Sequence, residues 1–159
     1  MLEIGPGSGR NLKLLRSFMD VAAVEDQLRS LAFNDERFAA VLSTHALLHG
    51  TPKDIQSLLA EIRRVCKPGA LLFATFGSQK DDRFGEGTRL TANCFAPIEG
   101  DEAGIPHSFF TVGTLRELLR EFTIERLDEV GVDEIAGSWA HRQKPLRGAV
   151  HWFAVLKKP

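Results

Sequence analysis

A chain of 159 residues, 43% of them hydrophobic and with a formal net charge of −1, can bury one good-sized core and is expected to form a single domain over residues 1–159. Basic and acidic residues are interspersed, with no Lys/Arg block that would neutralise a run of phosphates, so the balance argues against a nucleic-acid partner and for a small-molecule one. Cys66 and Cys94 have no CxxC or Cys/His spacing, which argues against a disulfide framework or a zinc module and for reduced thiols in the cytoplasm.

Met1 leads straight into Leu2-Glu3-Ile4-Gly5, without the charged and apolar regions of a leader, and no apolar run approaches the roughly 18 residues of a membrane span. Short apolar runs then alternate with helical stripes, the pattern of an α/β domain with a mostly parallel sheet. Strands are predicted at Leu2–Ile4, Val21–Val24, Ala39–Leu42 and Ala70–Phe76, and a helical segment carrying Leu12, Leu15 and Phe18 on one side follows the first. Ile55, Leu58, Leu59, Ile62 and Val65 recur at helical spacing behind Thr51 as N-cap and Pro52 in the first turn, with Pro68-Gly69 as the stop. The polar, Gly-rich stretch 77–107 carries little periodicity and reads as a lid or substrate loop. Leu115, Leu118, Leu119 and Phe122 mark another helix, and Thr123–Leu127 and Val150–Leu156 read as a closing antiparallel pair.

The first strand runs into Gly5-Pro6-Gly7-Ser8-Gly9-Arg10 and then a helix, the layout of a nucleotide site. Glycines at alternate positions allow a backbone to pass close to a ligand and to adopt positive φ at little steric cost. The spacing is GxGxG, with Arg10 where a dinucleotide turn places its third glycine, which favours an adenosyl ligand over NAD. Val21–Val24 ends in Glu25-Asp26, and Glu25 is the preferred acid for ribose hydroxyls.

Further along stand Phe33-Asn34-Asp35-Glu36-Arg37-Phe38-Ala39-Ala40-Val41-Leu42-Ser43 and Leu59-Ala60-Glu61-Ile62-Arg63-Arg64-Val65-Cys66-Lys67-Pro68-Gly69-Ala70-Leu71-Leu72. With the glycine turn, with His107-Ser108-Phe109-Phe110-Thr111 and with the closing Trp152–Pro159, these resemble the class I S-adenosylmethionine-dependent methyltransferase family, whose members read LPFxDxxFDxVxS and then L.EI.RVLKPGG.L. The resemblance implies a Rossmann-like, mostly parallel sheet with helices on both faces and strand order near 2-1-4-5-7-6, and transfer of a methyl group from S-adenosyl-L-methionine to a small molecule. It implies that Glu3, Gly5, Gly7 and Gly9 line the methionine side of the cofactor, that Glu25 or Asp26 meets the ribose, and that Ser43 and Thr44 sit beside the methyl group; no metal is implied. His45, His49 and His107 are candidate proton acceptors, His45 having the best position. Arg83, Arg89 and Asn93 could contact an acceptor, and Phe109-Phe110 could wall its cavity.

Against that family the chain is expected to be truncated at its amino terminus and shortened inside, since one helix and one strand are missing between Asp26 and Phe33. Asp26 could equally be the family's adenine-contacting acid. The stretch from Gln27 to Phe38 spans at most about 40 Å, enough to cross one missing strand. The second strand then becomes an edge that invites a homodimer. The alternative is a non-catalytic relative with weak or no cofactor binding; an NAD-dependent oxidoreductase would leave Lys67-Pro68-Gly69 unexplained.

Overall fold

The computed structural model describes residues 1–25, 30–131 and 148–159. Its elements are β1 (Leu2–Ile4), α1 (Arg10–Leu15), β2 (Ala22–Val24), β3 (Phe38–Ser43), a 3-10 turn (Ala46–Leu48), α2 (Pro52–Val65), β4 (Cys66–Ser78), β5 (Thr88–Thr91), β6 (Cys94–Ala96), β7 (His107–Phe110), α3 (Val112–Leu118), β8 (Thr123–Gly131) and β9 (Val150–Lys157).

Helix α2 forms where the sequence signals coincide. Thr51 Oγ1 accepts from the Asp54 N–H while the Asp54 carboxylate accepts from the Thr51 N–H, a reciprocal cap of two otherwise orphaned donors. Ile55, Leu58, Leu59, Ile62 and Val65 are all buried on one stripe. The helix ends at Val65, before the expected Pro68-Gly69 stop. Cys66 is already extended, and a residue before proline, here Lys67, is pushed out of the helical region, so β4 starts at Cys66 rather than at Ala70.

The central strands run β2-β1-β3-β4-β9-β8, with β2, β1, β3 and β4 parallel and β9 antiparallel to both β4 and β8. This is the expected 2-1-4-5-7-6 order, in which β2 takes the place beside β1 and, among the described residues, is an edge strand. Because β1–α1–β2 steps one way across the sheet and β3–α2–β4 the other, right-handed crossovers put α1 and α2 on opposite faces.

Register separates the two faces of the sheet. Leu2, Val41, Leu72 and Leu156 lie side by side and are all buried, in the cluster that includes the α2 stripe and Leu115 and Leu119. One residue on, Glu3, Leu42, Phe73 and Val155 share the other face, where Phe73 is 36% exposed. On that side a hollow of about 430 Å³ opens against Leu42, Phe73, Phe153 and Val155.

Three expectations are corrected. Helix α1 stops at Leu15 and buries no residue; Phe18 lies in the following turns, 76% exposed, so the stripe Leu12-Leu15-Phe18 is not a core face. Residues 77–107 are not structureless: β5 and β6 form an antiparallel ribbon with β7, too short, and on β5 too exposed, for alternation to register. Strand β8 continues to Gly131, past Leu127, because its ladder with β9 reaches Val150. The expected polar connection between them falls largely outside the described residues.

Candidate active site

The parallel strands β1, β2, β3 and β4 end on one edge, where open α/β sheets bind ligands. The chain leaves β1 through Gly5 (φ +68°), whose N–H donates to the Val24 carbonyl. A Cβ on Gly5 would come 3.1 Å from Ala46 Cβ, so the glycine lets the turn after β1 lie against the 3-10 turn after β3. Gly7 (φ +51°) and Gly9 (φ +74°) are also left-handed, and Gly9 is the N-cap of α1. Nothing fills the space where a Gly9 Cβ would stand; at this position the backbone angle, rather than crowding, selects glycine.

Glu3 is 2% exposed, and its Oε2 has no hydrogen-bond partner among the described residues. Burial pushes its carboxyl pKa up, opposed by a hydrogen bond with Asn11 and the charge of Arg16. An orphaned buried carboxylate oxygen beside a glycine turn fits a cationic or N–H donor group of a ligand. Ser43, at the end of β3, is fully buried, and its Oγ likewise has no partner among the described residues. Thr44 follows, its carbonyl accepting from the Thr75 hydroxyl, and its Oγ1 lies 3.3 Å from His45 Nδ1. Glu25 stands exposed at the end of β2, and Asp26 lies outside the described residues.

His49 and His107, far apart in sequence, are brought together. Their backbones form an antiparallel bridge, their ring centroids are 4.9 Å apart, and Glu102 lies against both, 3.9 Å from His49 Nε2 and 3.3 Å from His107 Nε2. The His107 hydrogen bond holds the Glu102 carboxyl down at about 2. Phe109 packs with Phe84 and Phe95 beneath the ribbon, while Phe110 meets Phe76 and its carbonyl accepts from the Trp152 indole; both phenylalanines are buried anchors.

Arg83 is engaged otherwise than the sequence suggested. Its guanidinium holds both oxygens of Asp81, a carboxylate 3% exposed that also accepts the Val150 N–H. The same guanidinium lies 3.2 Å from His151 Nε2, and since arginine can only donate, Nε2 there accepts and the ring is neutral. Desolvation first, then the Arg83 charge, lowers His151 to about 4. The Arg89 and Asn93 side chains both bond to Thr91 in the ribbon turn, and the Asn93 carbonyl accepts from the Phe109 N–H. Sequence reasoning missed Asp81, Glu102 and His151 because nothing in linear spacing links a Gly-rich stretch to the first residues of β9.

Another contact explains two of the quoted motifs together. Arg64 donates to the carbonyls of Leu31 and Phe33 and to Asp35, and Glu61 accepts the Leu31 N–H, so α2 clamps the segment that feeds β3. The hydrogen bond from Arg64 holds the Glu61 carboxyl below its ordinary range.

Residues 20–74 match the family model of the methyltransferase domain. No curated protein matches the chain in sequence. Among solved structures, an S-adenosylmethionine-dependent methyltransferase from Methanosarcina mazei superposes with a TM-score of 0.76 at 18% identity, over 99% of this chain and 91% of that one. The 1,6-didemethyltoxoflavin-N1-methyltransferase of Burkholderia thailandensis, with 1,6-didemethyltoxoflavin and S-adenosylhomocysteine bound, gives 0.69 at 19% identity over 99% of this chain and 69% of that one. A cyclase, SpnF, shares the fold as well, with a TM-score of 0.64 at 18% identity over 99% and 74%.

Proposed function

We propose that this chain, which bears the class I S-adenosylmethionine-dependent methyltransferase pattern over residues 20–74 and that family's fold along its length, transfers a methyl group from S-adenosyl-L-methionine to a small-molecule acceptor. The observation that carries the reading is the pairing of the positive-φ glycine turn with the buried, half-unpartnered Glu3 carboxylate at the strand edge. When bound, the cofactor supplies an electrophilic methyl on a sulfonium. The chain supplies position: Gly5, Gly7 and Gly9 offer a backbone a ligand can approach, Glu3 accepts from the cofactor's ammonium group, and Glu25 meets the ribose. Ser43 and Thr44 border the methyl, and the ribbon β5–β7 covers the acceptor. His45, next to Thr44 and beside the glycine turn's neighbour Ala46, is the preferred proton acceptor; His49 and His107 face Glu102 instead. A neighbour of this fold with 1,6-didemethyltoxoflavin bound supports the substrate class.

A non-catalytic relative is the second reading. No strand of the described residues lies between β2 and β3, and Glu25 is exposed, so the adenosine side is short. The same edge position of β2 supports a homodimer, checked by sedimentation. The function is tested by calorimetric titration with S-adenosylmethionine and S-adenosylhomocysteine, repeated on Gly7→Ala. Micromolar binding lost on substitution is expected; no binding by folded protein leaves the second reading.

A further inference from the structure

We propose that His49, Glu102 and His107 form a binding site for a divalent transition-metal ion of the zinc class. Two imidazoles and a carboxylate are a donor set that such ions favour, and it leaves one coordination position open. The three ligand atoms lie within 4.8 Å of one another. Two ligands of a tetrahedral zinc ion stand about 3.3 Å apart, given bonds of about 2.0–2.1 Å. The His107 Nε2 to Glu102 Oε2 separation is already 3.3 Å, and His49 Nε2 lies 3.9 Å from the other carboxylate oxygen, Oε1.

The surroundings pre-orient the ligands. His107 Nδ1 donates to the Ile105 carbonyl at 2.8 Å, the second-shell bond that aims the other nitrogen outward at a metal. Without an ion, that nitrogen faces the Glu102 carboxylate, and an ion would take up both groups. The backbone bridge between His49 and His107 is reinforced by Gly50 N–H to the Pro106 carbonyl and by Ser108 Oγ to the Gly50 carbonyl, each 2.7 Å. Glu102 sits in a turn closed by the Ile105 N–H on its carbonyl. Arg83, whose charge also acts on Glu102, is neutralised by Asp81. The His107 side chain is 7% exposed, His49 21% and Glu102 40%, so the group is rooted in the protein and open to solvent at the carboxylate. An ion here joins the segment after β3 to β7, pinning the ribbon over the strand edge, and it does not depend on the methyl-transfer reading.

The test is titration of metal-free protein at neutral pH with Zn²⁺ by calorimetry, and with Co²⁺ by visible absorption, beside His49→Ala and Glu102→Gln. Both substitutions are at partly exposed positions, and circular dichroism checks that each variant is folded. One ion per chain, a tetrahedral cobalt spectrum, and affinity weakened at least 10-fold in each variant are expected. No binding by the folded protein overturns the proposal, and so does binding that His49→Ala leaves unchanged, which would assign the ion to His45, His151 or the cysteines.

Discussion

Glu3 illustrates what a single residue can report. Its folded pKa is raised by burial, so the unfolded chain loses its proton first as pH rises, and the ionised form opposes folding above that folded pKa. Glu3→Gln removes this opposition and is expected to raise the melting temperature at pH 7. The same substitution removes the acceptor for an ammonium group, so S-adenosylmethionine affinity should fall 10-fold or more while stability rises. Calorimetry and thermal melts on one preparation separate the two; a variant that is less stable and binds unchanged would show that Glu3 is only a packing group. The glycine turn was legible in sequence because a strand, GxGxG and a helix start are contiguous, whereas Glu3 was pointed to by the family resemblance. Glu102 and His151 were not, since each gains meaning only from a strand-edge contact with residues distant in the chain.

At the scale of elements, legibility followed length and periodicity. Helix α2 was readable because an apolar stripe, the Thr51 N-cap and a proline in the first turn agree, and the strands β3 and β4 because their apolar runs flank it. Helix α1 was misjudged because apolar residues at helical spacing do not say whether anything lies opposite them, and Phe18 has no cover. The ribbon β5–β6 was invisible because strands of four and three residues show no alternation. The clamp from α2 to residues 31–35 gives a prediction at this scale. Arg64→Lys keeps the charge but cannot reach two carbonyls and two carboxylates at once, so the melting temperature should drop nearly as far as in Arg64→Ala. Full rescue by lysine in thermal melts would mean that charge alone matters. The two sheet faces differ in the same way: Leu72→Ala, on the packed face, should lose about 3 kcal/mol in denaturant unfolding, and Leu42→Ala on the half-open face about 1 kcal/mol.

For the whole molecule, the buried polar groups at the end of β4 and β9 predict acid sensitivity. His151 is neutral in the fold, with its pKa brought from 6.5 to about 4, so between those values the unfolded chain binds a proton that the native state does not. Its contribution is complete above about 6.5, is lost as pH falls toward 4, and amounts to about 3 kcal/mol when fully expressed. Glu102, lowered from 4.5 to about 2, extends the loss into stronger acid, but its carboxylate is 40% exposed and solvent screens much of that share. Glu3, its carboxyl raised by burial, runs in the opposite sense. The melting temperature should therefore fall between pH 6.5 and 4, before carboxylates titrate generally. His151→Gln keeps an acceptor for Arg83 without a titrating group, and its melting temperature should be nearly flat across the same interval. Parallel profiles for the two proteins would place the acid sensitivity elsewhere. A flat variant profile would identify the Asp81–Arg83–His151 contact as the joint whose protonation loosens β9 from the strand edge that carries the candidate site.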